Sequence, residues 1–147
     1  METSQKLERN KETIRRLYVD ILNKRRLDLL DQIFSEEYVN VQGDKGPAGF
    51  ERAANSMTQA FPDIQWTIEN LIAEGDKVVV KWFWEGTNTG SFNGFPPSNQ
   101  LIKHTAVVIF DFEDEKVVKN WMLFDRLSFF EQMGILSPEL TSPPVKR

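Results

Sequence analysis

The chain has 147 residues, of which 18 are basic and 22 acidic for a formal charge of −4, with no cysteine and one histidine. That length suits about one domain burying roughly 70% of the surface its unfolded form exposes, and the charge offers no broad attraction to nucleic acid or an anionic membrane. Disulfides, thiol nucleophiles and thiolate metal sites are excluded, and one histidine cannot build the usual zinc sets. The chemistry therefore falls to carboxylates, amines and aromatics, with no metal and no cofactor expected.

Glu2 to Arg16 is charged throughout, unlike a signal peptide, and no apolar run nears the ~20 residues of a membrane span. A soluble, cytoplasmic protein is expected. Leu7, Ile14, Leu17, Tyr18, Ile21 and Leu22 recur at helical spacing against a charged opposite face, which predicts a long amphipathic first helix. A short second helix is predicted at Leu27 to Phe34, a brief strand at Tyr38 to Gln42, and a loop at Gly43 to Gly49. Pro47 suits the first turn of a third helix, which turns Phe50, Ala53, Ala54, Met57 and Phe61 to one side and stops before Pro62.

The period then changes. Ile64, Trp66 and Ile68 alternate with polar residues, and Gly75-Asp76 supplies a turn before a strand at Lys77 to Thr87, so these runs read as a hairpin. Lys77 to Trp84 and Ala106 to Phe112 are apolar at both parities, which predicts strands with both faces out of water. One face can line a pocket; the other must meet helices or a second subunit, so a homodimer is expected. Glu113-Asp114-Glu115 joins the last two strands, and a short helix from Arg126 to Met133 closes a single domain over 1–136. Ser137 to Arg147, with three prolines, reads as a loose tail. Helices first and an antiparallel sheet afterwards is an α+β pattern.

Four segments carry a resemblance: Ala60-Phe-Pro-Asp63, the loop Gly86-Thr-Asn-Thr-Gly90 with Gly94-Phe-Pro-Pro97, Asn120-Trp-Met-Leu-Phe-Asp125, and Phe130-Glu-Gln-Met-Gly134. Their order and spacing, from about Leu7 to Gly134, resemble the SnoaL-like polyketide cyclases. The resemblance implies the cone-shaped fold of nuclear transport factor two, a strongly curved antiparallel sheet wrapped around about three N-terminal helices. It also implies a cofactor-independent aldol-type cyclisation in which a carboxylate at the position of Asp125 removes a proton next to a carbonyl. A fold with so many functions does not assign one by itself.

Asp125 ends a strand among Trp121, Leu123, Phe124 and Leu127, an apolar setting that favours a carboxylate acting as base; the same position also suits an N-cap for the final helix. The resemblance implies a basic partner fourteen residues earlier, where this chain has Asp111. Two acids facing one pocket leave one protonated as a donor, unless Asp111 faces solvent. Lys81, an amine in the middle of an apolar strand, is the alternative stabiliser of an enolate, or else marks an exposed edge. Asn88 stands where the family has a loop histidine. Tyr18 and Asn55 roughly match family positions that touch substrate, and Trp121, Trp82, Phe83 and Phe92 offer flat walls for an apolar ligand or simply core. His104 has the parity of Ala106 and Phe110 and is set aside as the end of a strand.

Three functions remain open. One is a cyclase or isomerase acting on an apolar, polyketide- or terpenoid-like carbonyl compound. Another is a non-catalytic small-molecule-binding protein, and the third a structural dimer without ligand. Epoxide hydrolysis would need an Arg-x-Asp on the central strand, where this chain has Lys81-Trp-Phe83.

Overall fold

The computed structural model describes residues 2–136, so the expected tail lies outside the described residues. Helix α1 (Glu2–Arg15) continues without a break into a π-helical turn, Arg16–Leu22, and a short 3-10 helix, Leu27–Gln32, follows. Arg25 adopts a left-handed backbone (φ 59°) between them, and its guanidinium donates to the carbonyls of Leu22, Pro62 and Ile64. Helix α2 (Pro47–Ala60) starts on the proline as predicted. Four strands, β1 (Gln65–Glu74), β2 (Lys77–Thr87), β3 (Leu101–Glu113) and β4 (Lys116–Phe124), form one antiparallel sheet in sequence order, and α3 (Arg126–Gln132) closes the described chain.

Strands β2 and β3 alternate cleanly. Val78, Val80, Trp82 and Trp84 of β2 and Ile102, His104, Ala106, Val108 and Phe110 of β3 are buried toward the helices. The intervening residues form the opposite, outer face. A bulge at Glu69 shifts the register of β1, so Trp66 and Ile68 point inward before it and Leu71 and Ala73 after it. That flip ends the simple alternation at Ile68 and explains why β1 runs six residues further than periodicity predicts.

Two expectations fail. Tyr38 to Gln42 forms no strand, because Val39 makes one isolated bridge to Lys45 and Asn40 folds back instead, its side chain tying Gln42, Asp44 and Gly49. Ala53 on α2 is exposed, and this helix buries only Gly49, Ala54 and Ala60. No helix among the described residues is long and apolar enough to cross a membrane.

Candidate functional site

Tyr18, Tyr38, Trp82, His104 and Asn120 bring polar atoms to the otherwise apolar inner face of the sheet. The π-helical turn widens the helix where Tyr18 enters the interior, with its ring 5.8 Å from Trp82 and 6.4 Å from Phe110. Burial pushes the Tyr18 phenol well above its ordinary range, an effect partly offset by the neighbouring Trp82 indole. Even so, Trp82 Nε1 meets no acceptor in hydrogen-bonding geometry. Further along the same face, Tyr38 donates from its hydroxyl to Asn120 Oδ1 at 3.2 Å.

His104 lies two residues from Ala106, which pairs with Trp82 across β2 and β3. Its ring stacks on Phe129 at 4.6 Å and meets Phe124 and Trp84 edge-on at 4.9 and 5.3 Å. Burial in that aromatic surround lowers its pKa to about 4, opposed by the charge of Asp125, and Nε2 has no partner. Strand parity alone sets His104 aside, yet the same parity is what turns it inward. The signal that recovers it is its place two residues before Ala106 on a strand whose even positions are all buried.

Asp125 follows the last residue of β4. Its N–H donates to the Thr105 carbonyl at 3.2 Å, and its Oδ1 accepts from the Ser128 N–H at 3.1 Å, which makes it the N-cap of α3. Oδ2 accepts no hydrogen bond among the described residues. The apolar enclosure expected around it is absent within one chain, since Asp125 is exposed and Trp121, Leu123 and Leu127 are 54%, 62% and 54% exposed. Met122 points inward by parity but is 47% exposed, so the interior opens to solvent beside β4.

The other expected site residues lie elsewhere. Asp111 is six residues from Thr105 along β3, roughly 20 Å from Asp125 at strand spacing, and it pairs with Lys77 across β2. Spacing of fourteen misleads here because Asp125 adjoins Thr105, twenty residues back. Lys81 and Phe83 are on the outer face, Lys81 half-exposed 3.9 Å from Glu69 and Phe83 beneath the Lys103 ammonium. The strand therefore offers no inward acid or amine for epoxide opening. Trp121 is also outward, opposite Ile109. Asn55 is exposed on α2.

Asn88 is fully buried and spent on the loop: Nδ2 donates to Ala60 and Gly90 carbonyls, and Oδ1 accepts from the Ser98 N–H at 2.7 Å. It staples the loop after β2, with both amide hydrogens committed to that loop and the end of α2. Phe92 stays with the interior, packing against Phe61 and Phe129. Tyr18 faces inward as expected. Among the described residues, no group of three or more His, Asp or Glu could hold a metal ion.

This architecture, helices over one face of a curved four-stranded antiparallel sheet, is that of a SnoaL-like domain of the nuclear transport factor two-like superfamily. The sequence profile of the SnoaL-like polyketide cyclases matches residues 12–133, and the chain belongs to that family. Solved structures agree on the fold. TsrD from Streptomyces laurentii is 25% identical with a TM-score of 0.77, covering 90% of this chain and 97% of that one. A SnoaL-like polyketide cyclase from Agrobacterium tumefaciens is 21% identical with a TM-score of 0.73, covering 84% and 98%. IdmH from Streptomyces antibioticus is 22% identical with a TM-score of 0.72, covering 85% and 98%. No curated protein shows significant sequence similarity to the chain.

Proposed function

We propose that the chain is a cyclase or isomerase needing no cofactor, acting on an apolar carbonyl compound of polyketide or terpenoid type. The observation that carries this reading is the pair of buried, unpartnered nitrogens, Trp82 Nε1 and His104 Nε2, on the inner sheet face, with Asp125 at the rim near enough for its charge to act on His104. Buried polar atoms normally have partners, and a substrate oxygen is a partner that the free protein lacks.

In this reading the Asp125 carboxylate takes a proton from the carbon beside a carbonyl, and the electron pair of that C–H bond moves onto the carbonyl oxygen. Trp82 and Tyr18 donate hydrogen bonds to the resulting enolate oxygen. The enolate carbon then attacks a second carbonyl of the same molecule, a carbon–carbon bond forms, and the new alkoxide recovers the proton from Asp125. His104, held neutral by its aromatic surround, stays out of the proton transfer as a cation and leaves the carboxylate as the base.

One observation favours a binding protein without catalysis: Asp125 already serves as the α3 cap, with Oδ1 committed to Ser128. Deuterium incorporation into 2-tetralone in D2O, followed by proton NMR, separates the two. A cyclase of this type accelerates exchange at the carbon next to the carbonyl and shifts the Trp82 indole proton; a binding protein shifts the indole proton and leaves the exchange rate at its buffer value.

A further inference from the structure

A second cleft opens at the far end of the molecule, beyond Asp111 on β3 and so more than roughly 20 Å from Asp125 at strand spacing. Helix α1 lends it Lys6, Arg9 and Asn10, and the turn after β1 lends Asp76. The end of β3 adds Phe112, and the turn into β4 adds Asp114 and Glu115. Its volume is about 190 Å³, below the ~300–1,000 Å³ of a site for a drug-sized ligand. Only a small molecule fits such a space.

Asn10 is the group there that packing does not explain. It stands in line with Ile14 and Leu17 on the buried face of α1, is 3% exposed, and its Nδ2 has no acceptor among the described residues. An apolar side chain at that position would leave no donor unmet. The charges around it are paired, but loosely: Lys6 with Asp76, and Arg9 Nε with Glu115 Oε1 at 3.0 Å. All four of these side chains are at least 43% exposed, so the pairs are weak and can change partners. Asp114 is exposed and has no ion-pair partner among the described residues.

Three acids against two bases leave the cleft with an excess of negative charge, while its buried amide offers a donor. A plain anion would answer Asn10 but meet Asp76, Asp114 and Glu115. A plain cation would suit the acids and leave Asn10 unmet. We infer that this cleft binds a free α-amino acid, which carries both charges. Its carboxylate accepts from Asn10 Nδ2 and from Arg9 in exchange for Glu115, its ammonium lies against Asp114, and an aliphatic side chain packs on Phe112. The site is separate from the inner sheet face, and nothing in it depends on Asp125 being a base.

Two-dimensional amide NMR of the isotope-labelled protein, titrated with L-leucine to about 20 mM, reads the cleft without any substrate. The Asn10 side-chain amide and the backbone amides from Phe112 to Glu115 shift and saturate. N-acetyl-L-leucine, which lacks the ammonium, and L-leucine methyl ester, which lacks the carboxylate, each bind at least about tenfold more weakly. Asn10→Leu and Asp114→Asn each weaken leucine binding at least about tenfold. Circular dichroism confirms folding, and Asp114→Asn, in an exposed turn, carries the test if Asn10→Leu does not fold. The absence of a saturating shift overturns the inference, as do equal affinities for the three probes or leucine binding that ignores both variants. N-acetyl-L-leucine binding more tightly than leucine also overturns it and makes the cleft an anion site.

Discussion

Asp125 and Thr105 share the final backbone hydrogen bond of the β3–β4 pairing, 3.2 Å from N to O. This bond fixes where Asp125 stands: at the rim, at the start of α3, beside His104. It also lets the observed cap be separated from the proposed base role. The cap needs only a side-chain oxygen, whereas proton abstraction needs a carboxylate.

The cap predicts a graded stability series. Asp125→Asn keeps an acceptor for the Ser128 N–H and changes unfolding free energy by a few tenths of a kcal/mol. Asp125→Ala removes it and costs about 1 kcal/mol. Urea unfolding of both variants measures the difference, and equal losses would mean that the cap contributes nothing.

His104 gives the fold an acid-sensitive limb. Its pKa in the folded protein is about 4, below the 6.5 of a free histidine, chiefly through burial. The unfolded chain therefore binds the proton more readily between those values. The stability tied to a neutral His104 is complete above pH 6.5 and is lost as pH falls toward 4, by about 3 kcal/mol in all. His104→Phe keeps an aromatic ring against Phe129 and should flatten that part of the profile relative to wild type. Urea midpoints at pH 7 and pH 4.5 for both proteins provide the check.

The loop after β2 is held by packing as well as by Asn88. A Cβ at Gly90 would overlap the Gln59 carbonyl oxygen, so Gly90→Ala must displace either the loop or the end of α2, at about 1–3 kcal/mol. Asn88→Ala strands the Ser98 N–H and the Gly90 carbonyl, while the Ala60 carbonyl keeps the Gly90 N–H, and costs about 2–3 kcal/mol. Thermal melts should show both losses. If Asn88→Ala instead leaves the melt unchanged and weakens 2-tetralone binding, Asn88 serves the ligand rather than the loop.

The fold was legible because its signals are local or periodic: the apolar stripe of Leu7 to Leu22, the proline opening α2, the turn at Gly75, and the alternation of β2 and β3. The Glu69 bulge was hidden, since an extra residue alters parity without altering composition. Much of the site was hidden for a related reason. Parity within a strand can be read from sequence, but which parity faces the helices depends on the whole sheet. Lys81, Phe83 and Trp121 consequently fall on the outer face, and His104, with the opposite parity, on the inner one. Asp111 was misplaced by a distance counted along the chain, where the hairpin pairing sets Asp125 against Thr105. Asn88 could equally have been a ligand contact or a staple until Ala60, Gly90 and Ser98 were found around it.

The most direct measurement is the rate of deuterium incorporation next to the carbonyl of 2-tetralone, for wild type and Asp125→Asn at equal concentration in D2O. With the cap preserved and the carboxylate gone, the protein-catalysed rate should fall by about 10²-fold or more. Equal rates for the two proteins would contradict Asp125 as the base.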